Sequence, residues 1–160
     1  MKVIKVGMAD LAVSKSPCII TTLGLGSCVG VVLYDKVNKI GGLAHIMLPS
    51  SQSIKNNSNK AKFANTAIEM LIDKMIKLGA DKDNLVAKLA GGSQMFRFNT
   101  QNEMLRIGER NVTASKEKLK EHDIPIVAED TGGNYGRTIE LNCEDGSLFV
   151  RTIGRGSKYI

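Results

Sequence analysis

The sequence predicts an α/β fold: one compact domain over residues 1–160, with a mixed or two-layer sheet system flanked by helices. Three observations predict it. Short apolar runs bounded by glycine or proline recur in the first third of the chain and again near its end. Two longer segments carry helical spacing instead. The two kinds of element come in mixed order, with no internal repeat, no strict βαβ alternation and no linker long enough to divide domains.

Residues 2–13 hold two short strand-like runs around Gly7. A third run, Cys18-Ile19-Ile20, starts after Pro17, and Leu23-Gly24-Leu25-Gly26-Ser27 reads as a loop. Residues 28–34 form a Val-rich strand, 35–38 a turn, and 40–48 a second apolar strand. Residues 50–60 are Ser, Asn, Gln and Lys, a solvated loop. Ala64, Ala67, Ile68, Leu71, Ile72 and Met75 then recur every three or four residues, the stripe of an amphipathic helix, with Gly79 as its C-cap. Residues 85–90 read as a strand entering Gly91-Gly92-Ser93. A weaker helix is expected over 108–122, broken by Pro125 before a strand at 126–128. In the last hairpin Ile139, Leu141 and Cys143 alternate with polar residues, Asp145-Gly146 turns the chain, and Leu148 and Val150 return it.

Composition excludes several functions. The apolar fraction of 42% and charged fraction of 24% are those of an ordinary globular chain. Aromatics make up 4% and Trp is absent, so the core rests on Ile, Leu, Val and Met, and base-stacking platforms are scarce. The charge of +6 comes from scattered Lys and Arg, which serves solubility and marks no nucleic-acid patch. The N-terminus lacks the apolar stretch of a signal peptide, and no segment has transmembrane length, so the expected location is the cytoplasm. Cys18, Cys28 and Cys143 form no C-x-x-C pair, so they are expected as reduced thiols, with no metal or cofactor. The sequons at Asn56 and Asn111 are then chance matches.

One juxtaposition suggests chemistry. Cys28 ends a Gly-rich loop where a strand begins, so a substrate can approach the backbone, and free N–H groups beside the thiol can hold an oxyanion. His45 shares a strand face with Leu43 and Met47. If the strands over 28–34 and 40–48 pair as a hairpin, the start of one lies opposite the end of the other, and Cys28 meets His45. An imidazole there can draw off the thiol proton. A cysteine in an apolar strand is more often core, and so is a lone strand histidine; spacing and composition leave both readings open. Cys18 and Cys143 sit in strand patterns without a glycine loop and read as core, and His122 as a surface or capping residue. Gly24-Leu25-Gly26 is a fragment of a dinucleotide fingerprint with no helix pattern after it, and no Walker motif exists. Gly91-Gly92-Ser93-Gln94-Met95-Phe96 and Asp130-Thr131-Gly132-Gly133-Asn134 are glycine turns or pocket rims.

The run Thr22-Leu23-Gly24-Leu25-Gly26-Ser27-Cys28, followed by Gly42-Leu43-Ala44-His45-Ile46-Met47-Leu48-Pro49, resembles the CheD family of chemoreceptor glutamine deamidases. The resemblance continues through 90–96, 107–112 and 128–133, in the expected order and over nearly the whole chain. It implies a β-sandwich-like core with helices outside, similar to the catalytic domain of cytotoxic necrotizing factor. It implies a Cys28–His45–Thr22 constellation, with Thr22 orienting the imidazole. Ser27 and Gly26, with Gly91, Gly92 and Ser93, are the candidates for oxyanion site and pocket, and Met95 and Phe96 for apolar anchors at its rim. The implied substrates are glutamines on the helical bundles of methyl-accepting chemotaxis receptors, with methylesterase activity in some members. The implied regulatory partner is CheC, a phosphatase that competes with receptors. The alternatives are a binding module that chiefly stimulates CheC and, more distantly, a cysteine peptidase.

Overall fold

The computed structural model describes residues 1–52, 57–95 and 106–160. Strands β1 (Lys2–Val6), β3 (Cys18–Leu25), β8 (Arg137–Asn142), β9 (Leu148–Thr152) and β10 (Gly156–Tyr159) form one sheet, in the order β1-β3-β8-β9-β10. Strands β2 (Asp10–Lys15), β5 (Ile40–Ile46), β4 (Val29–Asp35), β6 (Leu85–Gly91) and β7 (Ile126–Thr131) form the other, in the order β2-β5-β4-β6-β7. Both sheets are mixed: β1 runs parallel to β3 and β7 parallel to β6, while the remaining neighbours are antiparallel.

Two apolar clusters set the layering. Alternate residues of β4, Val29, Val31 and Leu33, pack with Ala67, Ile68, Leu71 and Met75 of α1 (Ala64–Leu78) and Leu119 of α2 (Ile107–Glu121). Val32 of the same strand faces the other way, with Leu43, and meets Ile20, Ile139, Leu141, Leu148 and Val150 of the first sheet. The β2-to-β7 sheet is therefore the middle layer, between helices and second sheet. Every residue of β4 and β5 is buried, which explains why these strands read as continuous apolar runs rather than alternating ones. Burying each such Val, Leu or Ile stabilises the fold by roughly 1.5–3 kcal/mol.

Most expected elements are present, with Gly79 (φ 119°) as the C-cap of α1. Two differ. The loop expected at 23–27 begins later, because β3 runs on to Leu25 through a register shift between Thr22 and Leu25. Leu25 is completely buried and draws the chain back into the sheet, while Gly24 (φ 71°) absorbs the irregularity. The tail after Gly154 forms β10, an exposed strand with no apolar run that pairs with β9 and sets the Tyr159 ring 5.0 Å from that of Phe149.

Candidate active site

The hairpin of β4 and β5 brings Cys28 and His45 together. Gly30 pairs with His45 and Val29 with Ile46, so Cys28, one residue ahead of β4, falls diagonally across from His45 on the face between the sheets. Diagonal neighbours in such a ladder stand roughly 7–8 Å apart at the backbone, and among the described residues no hydrogen bond joins the Cys28 thiol to His45 Nε2. His45 is fully buried and Cys28 is 8% exposed, so Cys28 is the member of the pair that keeps some exposure.

Thr22 completes the arrangement from the other sheet. Its Oγ1 lies 2.7 Å from His45 Nδ1 and 2.7 Å from the Val6 carbonyl oxygen. A carbonyl can only accept, so the single hydroxyl proton goes to Val6. Thr22 Oγ1 must then accept from Nδ1–H. The tautomer follows from that chain: Nδ1 carries the proton, and Nε2 presents a lone pair. Nε2 is buried with no partner among the described residues, in the state a base needs. Burial also pushes the His45 pKa down, which keeps the ring neutral. Asp10 of β2 pairs with His45 in register, but it is exposed and its carboxylate accepts from the Leu11 N–H.

Burial pushes the Cys28 thiol up, against a smaller lowering from its own backbone N–H. Thiol and imidazole are thus both held neutral, rather than as a resting ion pair.

The glycine turn after β6 holds the Cys28 segment. Gly92 N–H donates to the Cys28 carbonyl at 2.9 Å and Ser93 N–H to the Gly26 carbonyl at 2.8 Å. Gly91 (φ 105°) admits no side chain, since a Cβ there would collide with the Cys28 carbonyl oxygen. Ser93 is completely buried. Its hydroxyl lies 2.6 Å from the Tyr135 carbonyl and accepts from Arg137 Nη1 at 2.8 Å, which ties the turn to the 130–135 loop. Gly26 and Ser27 directly precede Cys28. Met95 lies over Gly26, its Cγ 3.2 Å from where a Cβ would stand, and is 44% exposed. Met8 and Leu23, both over half exposed, sit beside the segments carrying Val6 and Thr22. Phe96 lies outside the described residues. A groove of about 730 Å³ runs elsewhere, between α2 and residues 49–52, and does not include Cys28 or His45.

Two further polar residues touch this frame and were not singled out by the sequence. Arg137 is wholly buried and pairs with Asp130 at 3.1 Å. Asn111 of α2, also wholly buried, donates from Nδ2 to the carbonyls of Ser27 (2.9 Å) and Met47 (3.0 Å). The available signal was a polar residue inside the buried stripe Gly108, Asn111, Ser115 and Leu119 of a helix. Cys18 and Cys143 are completely buried, as expected of core thiols, and His122 caps α2 beside Glu69. Among the described residues no group of three His, Cys, Asp or Glu side chains is placed to hold a metal, and no helix is long and apolar enough to cross a membrane.

Residues 47–152 match the family described as CheD chemotactic sensory transduction. The chain is 62% identical over 159 residues to the probable chemoreceptor glutamine deamidase CheD of Caldanaerobacter subterraneus subsp. tengcongensis, covering 99% of this chain and 98% of the relative. It is 56% identical over 159 residues to the chemoreceptor glutamine deamidase CheD of Halalkalibacterium halodurans, again covering 99% and 98%. Among solved structures, a Bacillus licheniformis hypothetical protein, YfiH, superposes with a TM-score of 0.47 at 15% identity, over 76% of this chain and 50% of that one.

Proposed function

Because the chain belongs to the CheD family, we propose that it is a chemoreceptor glutamine deamidase that works through Cys28, His45 and Thr22. It converts glutamine side chains of receptor proteins to glutamate and releases ammonia. The observation that carries the residue assignment is the oriented imidazole: Thr22 Oγ1 accepts from His45 Nδ1–H, which leaves Nε2 unprotonated and without a partner among the described residues, on the face that Cys28 shares.

With both groups neutral at rest, His45 acts as a general base during attack. Nε2 takes the Sγ proton as sulfur bonds to the amide carbon, and the carbonyl oxygen becomes an oxyanion beside the Ser27 and Cys28 N–H groups. Collapse breaks the C–N bond, His45 returns the proton to the leaving nitrogen, and ammonia departs from a thioester. Water then gives its proton to the same Nε2 and attacks the thioester carbon, releasing glutamate and the Cys28 thiol. Gly26, Gly91 and Gly92 let the backbone pack closely around this centre, and Ser93 holds the turn to the neighbouring loop. The exposed side chains of Met8, Leu23 and Met95 give a receptor helix apolar contacts around the mouth. The receptor sites lie in the cytoplasm, and a CheC-type phosphatase is a second partner for this face.

Mass spectrometry of a receptor cytoplasmic fragment incubated with the protein tests the assignment. Glutamines at specific sites should acquire the mass of glutamate, and Cys28→Ala should abolish the conversion while keeping the fold. Conversion by Cys28→Ala at the wild-type rate refutes the assignment, and backbone cleavage of the fragment would make the protein a peptidase.

A further inference from the structure

Asn111 is an expensive residue to keep where it stands. It is completely buried on α2, and the two carbonyls it faces, Ser27 and Met47, can only accept, so the amide nitrogen must point at them. That leaves Asn111 Oδ1 buried with no partner among the described residues. An unpaired amide oxygen is destabilising, so its retention calls for another role.

The two carbonyls bracket the proposed chemistry. Ser27 precedes the nucleophile, and Met47 lies two residues beyond His45. The Ser27 carbonyl and the Cys28 N–H belong to one peptide plane. In a trans peptide these two groups point in opposite directions. Fixing the carbonyl on α2 therefore turns the Cys28 N–H away from α2. The Cys28 side chain stands on that opposite side, in the cluster between the sheets. The following plane is fixed as well, since the Cys28 carbonyl accepts from Gly92 N–H at 2.9 Å. Both peptides around the nucleophile are thus held from outside the substrate site.

We propose that Asn111 is a positioning residue for deamidation: by holding the Ser27 carbonyl it aims the Cys28 N–H at the carbonyl oxygen of the substrate amide. The inference rests on Cys28 being the nucleophile. It assigns Asn111 no contact with substrate. It also separates two reactions of the same thiol. Amide attack generates an oxyanion and needs the N–H. Alkylation by iodoacetamide is a displacement at saturated carbon, generates none, and needs only the thiol and its base.

The test compares those reactions in Asn111→Leu, which keeps the branched shape and removes both donors. Removal of an oxyanion donor typically costs about a hundred- to a thousandfold in kcat, and a misaimed one should cost about ten- to a hundredfold. The expected result is that fall in kcat for ammonia release from a receptor fragment, with KM changed by less than about twofold. The rate and pH profile of Cys28 alkylation should stay near wild type. Ser115→Ala, which removes a hydroxyl that donates to the Asn111 carbonyl on the same helix, should leave kcat unchanged. If Asn111→Leu does not fold, Asn111→Ser, too short to reach both carbonyls, takes the same measurements. An unchanged kcat, or deamidation and alkylation falling in proportion, overturns the proposal. Cys28→Ala run alongside separates the failures: if it still deamidates, the nucleophile assignment falls first, and if it is dead while Asn111→Leu is normal, only this inference does.

Discussion

The layer between the two sheets has two ends, each with cysteine, glycine and a buried polar side chain, and only one is the proposed reactive site. At one end Cys18 and Cys143 are completely buried, Tyr34 Oη donates to the Cys143 carbonyl at 2.8 Å, and Gly41 leaves room for the Cys143 sulfur. Burial, with Cys18 beside it, pushes the Cys143 thiol up to about 12, and burial pushes Tyr34 to about 12. Every polar group in that description is satisfied or kept neutral. At the other end Cys28 keeps some exposure, His45 Nε2 has no partner among the described residues, and the flanking peptides are held by Gly92 and Asn111. Burial alone makes a thiol inert. What differs at the open end is an oriented base and a nearby backbone donor.

Removing the base should break the contrast most. His45→Ala is expected to lower kcat for ammonia release by about a hundred- to ten-thousandfold, the range for a positioned acid/base. Turnover near wild type would leave both ends equivalent. The same residue predicts a pH dependence. Burial holds the folded His45 pKa below its ordinary value of 6.5, so below that pH the unfolded chain binds the proton more readily. Its stabilising contribution is therefore complete above about pH 6.5 and is lost as pH falls through the folded value. Urea titrations at neutral and acidic pH should show a smaller acid loss in His45→Gln than in wild type. Since the ring must be neutral to act, kcat/KM should persist below pH 6.5 and fall only at the depressed pKa.

A milder change sharpens the comparison. Thr22→Val keeps the shape and removes the hydroxyl that links Nδ1 to Val6. The imidazole then loses what fixes its tautomer, and kcat should drop by about ten- to a hundredfold. The thiol stays in place, so Cys28 should remain the residue that alkylates. A wild-type kcat in Thr22→Val would show that burial alone orients the ring.

The difference between the ends was partly legible in the residues. The placement of Cys28 near His45 was legible because strand alternation and a short hairpin place the start of one strand against the end of the next. Cys18 and Cys143 were legible as core residues because neither follows a glycine loop. Thr22 was reached only through a resemblance, because its partner lies on the other sheet and no local pattern reports contacts between sheets. The extension of β3 to Leu25 escaped for the same reason: Gly24 and Gly26 advertise a loop, while burial of Leu25 is decided by the opposite layer. Asn111 read as a chance sequon, since the carbonyls that need it belong to residues 64 and 84 positions away.

The smallest effect on activity is expected at the closed end, where packing is the whole role. A Cβ on Gly41 would lie 2.8 Å from Cys143 Sγ and 2.9 Å from Leu141 Cδ2, both too close. Gly41→Ala should therefore cost about 1–3 kcal/mol through overpacking. Cys143→Ala removes one of those obstacles and should itself cost roughly 1 kcal/mol for the space it leaves. In the double variant the new methyl occupies the vacated volume, and Leu141 can shift into what remains. The two costs should then fail to add, by about 1 kcal/mol in the stabilising direction, in a double-mutant cycle from urea melts. Deamidation should be unchanged in all three proteins. Gly41 stands four residues along β5 from His45, roughly 13 Å at about 3.3 Å per residue, so local repacking there need not move the imidazole. Additive costs would mean that the sulfur and the glycine do not share one space. A parallel loss of kcat would mean that the two ends are mechanically joined through β5, and that the inert end helps hold the reactive one.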